Sequence, residues 1–134
     1  MHLNTYREDL KKQKDGAPIY IGDSVFYVRR WGTPESLKVR RQLERELFSP
    51  FHKKIESDDS LLLAHWLAEY AVTNWENVYD DSGILEWSID TARKVFLNPE
   101  FYLSLNQELF SFSMKYEHFL FDEVEDESEA IKKP

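Results

Sequence analysis

No cysteine occurs among the 134 residues, which excludes a disulfide framework, thiolate metal sites and cysteine nucleophiles together. Glycine appears only four times, and none of the four belongs to a glycine-rich phosphate cradle. The apolar runs are too short to cross a bilayer, and the opening MHLNTYREDLKKQKDG lacks the apolar stretch of a signal peptide. The expectation is a soluble, non-secreted protein, compatible with a reducing cytosol. Serines are common but none stands in GxSxG. His2, His52, His65 and His118 are scattered, with no HExxH or comparable helical pair. Asp58-Asp59 and Asp80-Asp81 read better as a helix cap and a turn than as acid/base pairs, and DDSG lacks the alternating donors and closing Glu of a calcium loop. Catalytic centre, cofactor and metal are therefore all expected to be absent.

What is present is a core and an uneven distribution of charge. Apolar residues make up 42% of the chain and aromatics 15%, enough for the one core that this length accommodates. The formal net charge is −8. Residues 1–54 hold 12 Lys and Arg against 7 Asp and Glu, whereas residues 55–134 hold 5 against 18. Such polarity favours head-to-tail attraction between copies. Nucleic acid is not an expected partner, because the basic half carries no recognised reading motif and the acidic excess repels phosphates.

The pattern along the chain predicts a mainly helical α+β domain over 1–121, with about four helices, an N-terminal β-hairpin at about 18–31 and a flexible acidic tail at 122–134. A short helix in 3–15 ends at Gly16-Ala17-Pro18. "PIYIGDSVFYVRRWG" alternates with a two-residue period around Gly22-Asp23-Ser24, as a hairpin does. Thr33 and Pro34 open an amphipathic helix with a basic face, interrupted or kinked by Pro50. Ser57-Asp58-Asp59 caps a second, buried helix running through LLLAHWLAEYAVTNW. Asp80-Asp81-Ser82-Gly83 signals a turn in a small hairpin or compact loop, whose sides Trp75 and Trp87 pin onto the helices. Ser88 caps a short helix stopping near Asn98-Pro99, and the last helix is expected to run unbroken from Pro99-Glu100 to Phe121. Six acidic residues between Asp122 and Glu129 form the core of the tail.

Two features exceed the needs of a simple core: the basic helix face of Lys38, Arg40, Arg41 and Arg45, and the aromatic last helix. Half of the aromatics suffice for packing, which leaves others for a partner. At this point the chain resembles the tail assembly chaperones of long-tailed bacteriophages. The resemblance runs over most of the length: "IYIGDSVFYVRRWGTPE", then the basic "SLKVRRQLERE", then "LAEYAVTNWENVYDDSGILEWSIDTARKVFLNPEFYLSLNQEL". In that middle section Asn74-Trp75 matches the family's small or polar residue before Trp, and Trp87 stands where a Tyr or Phe is common.

The resemblance implies a non-catalytic protein of the bacterial host cytoplasm that coats the helical tape measure protein, self-associates along it and is absent from the mature virion. It also implies a longer form made by ribosomal frameshifting, which would reach the tail tube protein; Lys132-Lys133 is the candidate slippery position. On this reading Arg40, Arg41 and Arg45 meet acidic residues of a neighbouring copy, Phe110 and Phe119 contact client or copy, and Trp75 and Trp87 fix the loop. No membrane partner is expected. The alternative is an acidic decoy for a host nucleic-acid-binding protein, which the basic N-terminal half opposes. A small enzyme is a third class, for which the sequence offers no constellation.

Overall fold

The computed structural model describes residues 1–122; the tail predicted at 122–134 lies outside the described residues from position 123 onward, Lys132-Lys133 included. Among those described, five α-helices surround a three-stranded antiparallel sheet. A 3-10 turn at Leu3–Tyr6 leads into α1 (Leu10–Asp15), whose start is fixed by the Asp9 carboxylate accepting from the Lys11 and Lys12 N–H groups. β1 (Ala17–Ile21) and β2 (Ser24–Val28) form the expected hairpin, with Ile19 opposite Phe26 and Ile21 opposite Ser24. Their alternation puts Ala17, Phe26 and Val28 into the core and leaves Tyr20 exposed on the other face.

The third strand is a correction to the sequence reading. The predicted helix through Trp75 instead consists of α3 (Asp58–Trp66), one π turn at Leu67–Ala71 and β3 (Val72–Glu76), which pairs with β2. Val72 and Thr73 are β-branched and β2 offers an unpaired edge, so sheet pairing prevails over continued helix. The pairing slips at Thr73, which lies between residues paired with Tyr27 and Val28. Its hydroxyl donates to the Asp15 carbonyl at 2.5 Å, tying this irregularity to the end of α1.

α2 (Pro34–Leu47) begins as predicted, with the Thr33 hydroxyl accepting from Ser36 N–H. It ends at Leu47, before Pro50, and packs on α3. β4 (Tyr79–Asp80) and β5 (Gly83–Ile84) make the small hairpin expected at DDSG. α4 (Ile89–Phe96) starts at a Ser88 cap. It lies against the π turn, where Ala68, Ala71 and Ala92 are buried and small enough for close approach. A bidentate Arg93–Glu69 pair, at 2.6 and 3.0 Å, crosses that contact.

The last predicted helix is also corrected. Residues 99–121 divide into a 3-10 turn at Pro99–Phe101, α5 (Leu105–Met114) and a second 3-10 turn at Tyr116–Phe119. Buried Asn106 donates to the Phe96 carbonyl at 3.0 Å, meeting the end of α4. After the second turn the chain becomes extended and joins the N-terminal segment. Glu8 bridges to Leu120, Asp9 N–H donates to Phe119 O at 2.8 Å, and Phe121 N–H donates to Arg7 O at 3.1 Å. Lys12 holds both Leu120 O and Asp122 at 2.8 Å, so Asp122, expected in the tail, belongs to the folded body. The core between sheet and helices is built on Phe26, Val28, Leu43, Trp66, Leu67, Trp75, Phe96 and Leu109.

Candidate functional site

The richest surface is the corner where α2 ends and α3 begins. Leu43 turns into the core, which leaves Arg41 and Arg45, one helical turn apart, on the outer side. A cleft of about 680 Å³ opens beside them, with Phe48, Pro50 and Leu62 among its apolar lining and Arg41, Arg45 and Lys54 among its cations. Neither Arg41 nor Arg45 makes an ion pair or side-chain hydrogen bond among the described residues.

The loop between the helices is held by polar contacts. Asp58, 7% exposed, accepts from the Ile55 N–H at 2.8 Å, and His52 Nε2 lies 2.8 Å from the same carboxylate oxygen. The backbone N–H of Ile55 holds this carboxyl below its ordinary range, with His52 acting in the same direction and burial opposing both. The His52 ring stacks on Phe48 at 4.8 Å, and His52 N–H donates to Ser49 O. Asp58 was expected to serve in a helix cap; it closes the loop instead, and Ser57 makes no side-chain cap bond. At the tip of this tied loop Phe51 is 96% exposed and Ile55 56%.

The structure separates the sequence-predicted residues. Arg41 and Arg45 lie together at the cleft. Arg40 turns away: its guanidinium lies 3.7 Å from the centroid of the Trp31 ring and donates to the carbonyls of Trp31 and Ser36. Burial lowers its pKa, with Glu44 opposing. The expected partner contact is therefore withdrawn for Arg40, whose charge is engaged within the chain. Phe119 is corrected more sharply, because it is 0% exposed and has no surface to offer a partner. Phe110 is half-buried, edge-on to Trp31 at 4.9 Å, so its main contact is internal.

Trp75 stands at the base of the β4–β5 loop. It is buried, and its indole N–H donates to Leu85 O at 2.7 Å. Trp87 packs against the core from the other side of β4–β5, with its buried indole N–H unpartnered among the described residues.

Sequence reasoning missed Trp31, which organises an edge-to-face cluster of Trp66, Trp31 and Phe110 with Arg40 over its face. The spacing of Trp31 and Arg40 gave no helical signal, since the helix begins between them. Sequence reasoning also missed the His52–Asp58 clamp. His-x5-Asp across a Pro-containing loop was its only trace.

Among the described residues no group of three or more His, Cys, Asp or Glu is arranged to hold a metal ion. Nor, among the described residues, is any helix long and apolar enough to cross a membrane. A recess lined by Phe48, Pro50 and Leu62 and edged by two guanidinium groups that are unpaired among the described residues has the chemistry to suit an acidic, partly apolar protein segment. No family model, curated protein or solved structure matches this chain.

Proposed function

We propose that this protein is a non-catalytic assembly chaperone of the phage tail type, which binds the tape measure protein in the host cytoplasm and keeps it soluble by self-associating along it. The observation that carries the reading is the α2–α3 corner, where exposed Phe51 and Ile55 stand beside a recess bearing Arg41 and Arg45. Large apolar side chains on a tied loop beside free guanidinium groups are what a protein-binding surface needs, because little order remains to be imposed when the partner arrives. The sequence resemblance supplies the class of client. On this reading the chain leaves before the virion matures, and a longer form extends to the tail tube protein.

The test is co-expression with a tape measure protein from the same genome, followed by pull-down and sizing. A soluble complex with many copies of this chain per client is the expected outcome. A client that stays insoluble while this chain runs alone overturns the reading.

One observation favours the second reading, an acidic decoy for a nucleic-acid-binding host protein: Glu76, Asp80, Asp81, Glu86 and Asp90 are all exposed along one stretch. Competition with DNA for a host protein would mark that alternative.

A further inference from the structure

The same acidic stretch carries a feature that the α2–α3 corner complements. Tyr79 and Ile84 are cross-strand partners on β4–β5 and are 59% and 63% exposed. A two-stranded ribbon this short has little stability alone. Here it is held at its base and tip. Leu85 N–H donates to Val78 O at 2.8 Å, and Trp75 grips Leu85 O from the core. At the tip the Asp80 carboxylate accepts from Ser82 N–H and Oγ at 2.8 and 2.6 Å, closing the turn. The result is a preorganised peg with an apolar pair on it and carboxylates around it. Asp81 and Glu86 make no ion pair or side-chain hydrogen bond among the described residues.

We propose that the β4–β5 ribbon of one copy seats in the α2–α3 cleft of a second copy, Tyr79 and Ile84 against Phe48 and Leu62, and Asp81 and Glu86 facing Arg41 and Arg45. The inference rests on the self-association in the reading above and names its two surfaces. Charge selects this occupant. Within the cleft Asp58 is committed to His52 and Ile55, and Asp59 lies 3.3 Å from Lys54, which leaves Glu44 as the one other carboxylate lining it with Arg41 and Arg45 among the described residues. On the ribbon side the uncommitted charges are carboxylates. The volume of about 680 Å³ admits two side chains and falls within the range of about 300–1,000 Å³ typical of built recesses.

Peg and cleft are different surfaces, separated along the chain by α3, the π turn and β3. The contact is therefore heterologous, and a pair of copies still presents one free peg and one free cleft. Such contacts propagate into a ring or an open helical array rather than stopping at a two-fold dimer.

The test uses three full-length proteins: wild type, the cleft variant Arg41→Glu/Arg45→Glu and the ribbon variant Asp81→Lys/Glu86→Lys. All four positions are exposed, and circular dichroism verifies folding. In sedimentation velocity at low salt, the wild type should assemble, each variant alone should run as monomer, and their equimolar mixture should recover the wild-type distribution. Recovery follows because the reversed ribbon fits the reversed cleft while the remaining ribbon and cleft are native. A third variant, Tyr79→Ala/Ile84→Ala, removes the apolar pair without changing charge and should weaken assembly at least about tenfold.

A monomeric wild type, variants that assemble unchanged, or a mixture that stays monomeric overturns the contact. Client solubility, measured in parallel, separates the two ideas. A client kept soluble by variants whose mixture does not reassemble removes this contact alone, whereas reassembly with an insoluble client removes the chaperone reading alone.

Discussion

Ser36 lies in the first turn of α2, where a polar residue is ordinarily solvated, yet it is 0% exposed and accepts from the Trp66 indole N–H at 3.0 Å. Ser36→Ala leaves that buried donor without a partner. The expected cost is about 1–3 kcal/mol, read as a lower urea midpoint with an unchanged slope. Arg40 makes a different kind of contribution, since its guanidinium covers the Trp31 face. Arg40→Ala should lower stability by about 0.5–1 kcal/mol while leaving assembly size unchanged. Reversal of neighbouring Arg41 and Arg45 should do the opposite. Equal effects on sedimentation from position 40 and from positions 41 and 45 would contradict the assignment of Arg40 to the interior.

At the scale of elements, the junctions are where tertiary structure makes its strictest demands. Gly16 joins α1 to β1 with φ +96°, and a Cβ there would lie 2.8 Å from the Tyr27 carbonyl carbon and 2.9 Å from the Val28 nitrogen. Both obstacles are backbone in the middle of the sheet, so they cannot rotate away. Gly16→Ala should destabilise by more than about 1 kcal/mol, measurable as a drop in Tm, whereas Gly32→Ala meets open space and has no positive φ.

The α2–α3 loop makes a prediction in pH. Asp58 is held below its ordinary pKa, chiefly by the Ile55 N–H. A lowered carboxyl pKa stabilises the fold above the unfolded value of about 3.9, and the contribution disappears as pH falls through the native value. The Tm gap between wild type and Asp58→Ala should therefore be full near neutrality and narrow in acid. A gap that widens in acid would show that the carboxylate is not what secures the loop.

For the whole molecule, the segregation of positive charge into residues 1–54 and negative charge into 55–134 becomes a statement about assembly. If ribbon and cleft meet through exposed charges, their attraction is screened over about 10 Å at 0.1 M salt and about 3 Å at 1 M. Mean assembly size should fall across that range, while the Tyr79/Ile84 contribution persists. An assembly that grows with salt would point to apolar contact alone. Among the described residues, 7–12 and 119–122 are joined by backbone hydrogen bonds and by Lys12 with Asp122.

Local chemistry was legible wherever the deciding partner lies within a few residues. The period of two in 17–28 specifies the hairpin, Thr33-Pro34 and Ser88 specify helix starts, and DDSG specifies a turn; each rests on bonds closed inside its own segment. That Arg41 and Arg45 share an outer face of α2 was legible because a helical face can be read from spacing. The course of Val72–Glu76 was not legible, because its conformation depends on the free edge of β2 about 45 residues earlier in sequence. Nor were the orientations of Arg40 and Phe119, or the pairing of His52 with Asp58, since each depends on which distant surface or loop contact becomes available once the chain is compact. The order of residues sets the locally closed elements and the polarity of charge; the third strand, the broken last helix and the choice of which charges and aromatics stay at the surface follow only from the packed fold, because exposure is a property of what packs on a residue and not of the residue.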